Sequence, residues 1–73
     1  MTIMATPTTS RILDVGTLSS GTVVEARRNN QVHYRGSVED SAPGLGIVWI
    51  RDDLAGHRAM LDLTEYSIWH VSP

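Results

Sequence analysis

The sequence predicts an all-β domain: a single five-stranded, strongly bent antiparallel small β-barrel with a short helical turn before its last strand. Three observations predict it. Short runs rich in β-branched residues alternate with turn signals roughly every ten residues, and within those runs apolar side chains recur with period two. The chain has 73 residues and no cysteine, which leaves room for one core and removes disulfides and thiolate metal sites as means of stapling it.

Residues 1–10, MTIMATPTTS, carry no charge and follow no helical or strand period, so they are expected to form a disordered tail before a domain over residues 11–73. The first firm strand runs from Thr22 to Arg28, with Val24 and Ala26 on one face and Val23, Glu25 and Arg27 on the other. Asn29-Asn30 tolerates positive φ and predicts a tight two-residue hairpin into Gln31 to Glu39. That second strand sets Val32, Tyr34, Gly36 and Val38 against His33, Arg35 and Ser37, and Gly36 marks a bulge or sharp bend. Ser41-Ala42-Pro43-Gly44 is a turn cluster, and Leu45 to Arg51 is the most apolar run, hence a central strand.

Asp52 to His57 connects to a fourth strand over Arg58 to Leu63, where Ala59, Leu61 and Leu63 alternate with Met60 and Asp62. A helix through Ala59 to Tyr66 is the rival assignment, since Ala, Met, Leu and Glu favour helices, but eight residues between turn signals is short for one. Thr64-Glu65-Tyr66 is then the helical turn and Ser67 to Val71 the closing strand. The expected core is Val24, Ala26, Val38, Ile47 or Val48, Leu61 and Ile68.

Three stretches carry a family resemblance: Leu18-Ser19-Ser20-Gly21-Thr22-Val23-Val24, Arg35-Gly36-Ser37-Val38, and Leu63-Thr64-Glu65-Tyr66-Ser67-Ile68. Together they span residues 18–71. They resemble the LxxGxxV opening, the x-G-x-V second strand and the closing turn of the Src-homology-3-like small β-barrels, a superfamily that includes the Tudor and KOW-like barrels. The resemblance implies the barrel fold. It does not extend to the polyproline site of the peptide-binding members, because the chain has no Phe, no ALYDY-like stretch and no tandem Trp pair.

Composition excludes several functions. All six basic residues are Arg, a bias that a GC-rich bacterial genome produces, and against eight acidic residues they give a net charge of -2, unlike a general nucleic-acid binder. No apolar run reaches the length of a membrane span, and residues 1–10 lack the basic and apolar regions of a secretory signal, so the cytoplasm is the expected location. His33, His57 and His70 show no ligand spacing, no Ser lies in a nucleophile elbow, and no Gly-rich loop precedes a helix. The carboxylate pairs Glu39-Asp40 and Asp52-Asp53 fall at predicted turns, where Asp serves the local backbone. No catalytic residue, metal or cofactor is expected. An enzyme assembled by oligomerisation, as in the plasmid-encoded type II dihydrofolate reductases, would need their pore-lining Val-Gln-Ile-Tyr stretch, which is absent.

Two binding readings remain. Gly46 to Ile50 is apolar on both faces, while a small barrel has an inside for only one, so the other is an interface unless Ile12-Leu13 or Leu18 folds over it. Either Ile47 and Trp49 point inward and Val48 and Ile50 form the exposed strip, or Trp49 projects. The indole N–H needs a partner, which favours Trp49 outward. The candidate protein-interface residues are thus Trp49, Val48, Ile50 and Trp69, and the partner is another protein or a second copy of this chain. The other reading rests on charge segregation: Thr22 to Gly36 holds three Arg and one Glu, while Ser37 to Pro73 holds two Arg and six acidic residues. Arg27, Arg28 and Arg35 with Tyr34 could hold a phosphate backbone and a stacked base. The simpler alternative is a solvated hairpin whose arginines pair with Glu25 and Glu39.

Overall fold

The computed structural model describes residues 8–72, which form one antiparallel sheet of six strands. These are β1 (Thr8–Ile12), β2 (Val23–Arg28), β3 (Gln31–Ala42), β4 (Ile47–Asp52), β5 (Arg58–Asp62) and β6 (Ser67–Ser72). Their order across the sheet is β1-β6-β2-β3-β4-β5, so β1 and β5 stand at the two edges and do not pair with each other. The all-β expectation holds and helix is confined to two short 3-10 turns among the described residues, but the sheet is six-stranded and not closed, in place of the expected five-stranded barrel. The sixth strand is β1. It begins inside the stretch read as a tail, where Thr8 to Ile12 pair with Ser72 to Ile68; residues 1–7 of that expected tail lie outside the described residues.

The β2–β3 hairpin turns through Asn29 and Asn30 at φ 53° and 61°. Positive φ at both central residues is the type I′ geometry whose twist matches that of the flanking strands. The ladder then slips: Ala26 pairs with Tyr34 but Arg27 pairs with Val32, leaving His33 as an extra residue. One inserted residue reverses the facing of everything beyond it. Val32, expected on the core face, is therefore 52% exposed.

Gly36 is not the bulge. It lies in regular pairing with Val24 on one side and Asp52 on the other, and a Cβ there would overlap the Arg51 carbonyl oxygen and lie 2.7 Å from the carbonyl carbon. The backbones approach so closely that only hydrogen fits. The second bulge falls further on, where Val38 pairs with Ile50 and Asp40 with Trp49, leaving Glu39 extra. Strand β3 runs on to Ala42, beyond the Glu39 boundary expected for it. Pro43–Leu45 makes a 3-10 turn closed by Gly46 in the left-handed region at φ 64°.

Strand β5 is a strand and not a helix, pairing with β4 from Arg51↔Arg58 to Ile47↔Asp62. The next turn, over residues 63–65, has the bonding of a single helical turn: Glu65 and Tyr66 N–H both donate to the Asp62 carbonyl at 3.0 Å. Inward residues of all these strands meet in one core of Val15, Val24, Ala26, Val38, Val48, Ile50, Leu61 and Ile68, with Ile12, Leu18, Tyr34 and Tyr66 packed against it. Val15 arrives from a 3-10 turn whose N-cap, Asp14, accepts the Gly16 N–H at 2.9 Å. Each fully buried aliphatic side chain stabilises the fold by about 1.5–3 kcal/mol.

Two substitutions probe this packing. Leu61→Ala is expected to lower the unfolding free energy by about 2–5 kcal/mol, and Gly36→Ala by about 3 kcal/mol or more, because the added methyl meets backbone and no side chain can move aside. Chemical denaturation of both variants measures this. A near-normal Gly36→Ala protein would mean that β3 and β4 are not in this close register.

Candidate functional site

Burial decides the facing of β4. Val48 and Ile50 are fully buried in the chain's own core, which removes them as interface candidates: their side of the strand is the inside of the fold. Ile47, Trp49 and Arg51 occupy the outer side, level with Asp62, Met60 and Arg58 of β5. The Arg58 guanidinium lies over the Trp49 ring, 5.3 Å from its centroid. Glu39 holds the rim together, bonding Arg51 Nη2 at 3.0 Å and Nε at 3.2 Å through Oε2, with Arg58 Nε 3.7 Å from Oε1. The bulge is what brings Glu39 there, since it lets Glu39 and Asp40 together oppose Trp49.

Trp49 itself is half-buried, and three large apolar side chains of these two strands and the turns that flank β4 are exposed. Met60 on β5 is 60% exposed, Leu45 before β4 is 74% exposed and Leu54 after it is 98% exposed. Trp49 lies on the outer side of β4, opposite Met60. The signal for Met60 was in the alternation of Ala59 to Leu63, while Leu45 and Leu54 sat in turn segments that gave no facing.

Trp69 does not join this patch. In the sheet order β2 and β3 stand between β6 and β4. Its ring is covered by the Arg27 guanidinium at 4.3 Å from the centroid, and its Nε1–H donates to Ser67 Oγ at 2.9 Å. Arg27 in turn donates through Nη2 and Nε to Glu25 Oε1 at 2.8 and 3.2 Å. The pairing is along β2 and not across the hairpin, and a second charge-assisted bond plus the ring makes Arg27 a fixed side chain.

Beside it is a shallow groove of about 320 Å³ with Arg11, Arg27, Arg28, Tyr66 and Trp69 among its lining residues. Arg28 sits 5.9 Å from the Tyr66 ring, whose edge contacts reach His33 and Tyr34 at 6.1 and 5.8 Å. Of the four candidate nucleic-acid contacts, the fold brings Arg27 and Arg28 to the groove and Tyr34 behind its Tyr66 wall, but leaves Arg35 elsewhere, exposed opposite Glu25. Arg11 and Tyr66 were missed. Arg11 reaches the groove only because β1 pairs with β6, setting Arg11 opposite Trp69. The groove also contains one carboxylate, Glu65.

His33, His57 and His70 lie on β3, in the turn before β5 and on β6; among the described residues no cluster of three or more His, Cys, Asp and Glu could hold a metal ion. Asp52, buried, accepts the Ala55 N–H at 2.8 Å and shapes the β4–β5 turn. No helix among the described residues is long and apolar enough to cross a membrane. No family model matches the chain, and neither a curated protein nor a solved structure matches it.

The turn after β5 acts on the acidity of Asp62. The Thr64 backbone N–H and then its hydroxyl, each 2.9 Å from Oδ1, hold its carboxyl below the ordinary value of 3.8, against a small opposing effect of desolvation. A pKa lowered by folding contributes stability above the unfolded value and loses it as pH falls through the folded one. Thermal melts of wild type and Asp62→Asn from about pH 6 to about pH 2 should show a shallower acid loss in the variant. Identical profiles would mean that the turn does not hold the carboxylate.

Proposed function

We propose that the chain is a non-enzymatic protein-interaction module, a small β-barrel-like domain that docks through the outer face of β4 and β5 around Trp49. The observation that carries this is the outward pair of half-buried Trp49 and exposed Met60, opposite each other on β4 and β5, with the Arg51, Glu39 and Arg58 ion pairs at the next outward position. An outward aromatic side chain beside an exposed Met and next to a charged group has the composition of an interface centre. The Src-homology-3-like resemblance is compatible with an interaction role but does not specify it. Trp49→Ala should weaken association, read by sedimentation across concentration, by at least about 2 kcal/mol while the thermal midpoint holds. Unfolding without a separate association defect would make Trp49 a core residue and remove this reading.

A second reading, single-stranded nucleic-acid binding, is favoured by the groove itself. Three guanidiniums face one carboxylate there, and Arg11 and Arg28 have no ion pair among the described residues. Tyr66 and Trp69 offer rings for stacking. Fluorescence anisotropy of a labelled oligonucleotide at low salt tests it: removing Arg28 should weaken binding and make the log–log salt slope shallower by about 0.7. No binding at low salt would discard it.

A further inference from the structure

We infer that β5 is a self-pairing edge: two copies of the chain join antiparallel about a two-fold axis at Met60, so that Arg58 of each faces Asp62 of the other. The inference rests on the reading of the β4–β5 face as a docking surface and names its occupant. An exposed strand edge presents unpaired backbone groups and is a template for another strand, unless a Pro, a bulge or a like charge blunts it. Strand β5, Arg-Ala-Met-Leu-Asp, has no Pro, and its register with β4 is unbroken. Its outer edge pairs with no strand among the described residues.

Its charges favour the pairing. Arg58, Met60 and Asp62 alternate onto the outer face, a basic and an acidic residue placed symmetrically about Met60. A two-fold operation at Met60 therefore brings opposite charges together twice, the isologous arrangement in which one patch complements itself. The side-chain atoms this pairing requires are open. Asp62 uses Oδ1 for both Thr64 bonds, which leaves Oδ2, and Arg58 meets Glu39 only through Nε at 3.7 Å, which leaves its terminal nitrogens. The apolar residues continue the match, since Met60 of the two copies would meet on the axis with the Trp49 rings on either side. The opposite edge lacks this symmetry. A two-fold axis at the centre of β1, Ser10, would set Arg11 against Thr9.

The chain has no cysteine of its own, so one thiol at a time reads the register. Met60→Cys should form a covalent dimer under mild oxidation, since directly opposed antiparallel residues fall within disulfide reach. Ala59→Cys should not, because the same register sets it opposite Leu61 on the inner face. Arg58→Asp presents carboxylates at both positions and Asp62→Arg presents guanidiniums at both. Each should weaken self-association at least about fivefold, and an equimolar mixture should restore it as a heterodimer, with thermal melts verifying that both variants fold. A dimer that forms but neither cross-links through Met60→Cys nor responds to the charge swaps, yet is broken by Trp49→Ala, overturns the edge register and leaves the docking face standing. A wild-type chain that is monomeric at every concentration overturns the pairing itself.

Discussion

At Gly36 the backbone of β3 passes so close to the Arg51 carbonyl of β4 that any side chain would overlap it, and this contact organises the sheet. Gly36 and Ser37 are the residues of β3 that pair on both sides at once, with Val24 and Val23 of β2 and with Asp52 and Arg51 of β4. The hairpin on one side and the β4–β5 meander on the other are thus joined through one strand of twelve residues. Because the joint is tight, Val24, Val38, Ile50 and Leu61 from four strands meet in one core, which a small chain without cysteine, and so without disulfides, needs for stability.

Two inserted residues then decide what the outside looks like. The extra His33 turns Val32 out and leaves Tyr34 packed inward against Tyr66. The extra Glu39 reaches both Arg51 and Arg58. A bulge changes the facing of every residue beyond it while leaving composition untouched. The arginines are divided by the result: Arg51 and Arg58 share one carboxylate, Arg27 has its own, and Arg11, Arg28 and Arg35 have none among the described residues. The two outer surfaces consequently differ in chemistry, one an aromatic and apolar patch beside two arginines bridged by a single carboxylate, the other a groove where Arg11 and Arg28 have no ion pair among the described residues.

Self-pairing through β5 would also change what the open sheet means. A sheet with two unpaired edges is exposed to non-specific association; an edge whose outward charges complement their own reversed order selects one partner in one register. That selectivity would come from three side chains, Arg58, Met60 and Asp62. Trp49 would add burial beside them without depending on the β5 backbone.

The all-β class, the Asn29-Asn30 hairpin, the strand assignment of residues 58–62 and most of the core were legible in the sequence, because each rests on a local cause: period-two alternation, positive-φ residues, or a segment too short to be a helix. The outward facing of Trp49 was legible from the demand of its N–H. Strand β1 was not, since Thr8 to Ile12 has little apolar pattern and its partner lies some sixty residues away. Nor were the bulge positions or the grouping of Arg11 with Tyr66 and Trp69. Periodicity reports facing within one strand. Which strands become neighbours, where a residue is inserted between ladders, and hence which side chains share a surface are settled only by non-local pairing and packing, and this decided that Val48 and Ile50 close the core while Met60 borders an open edge.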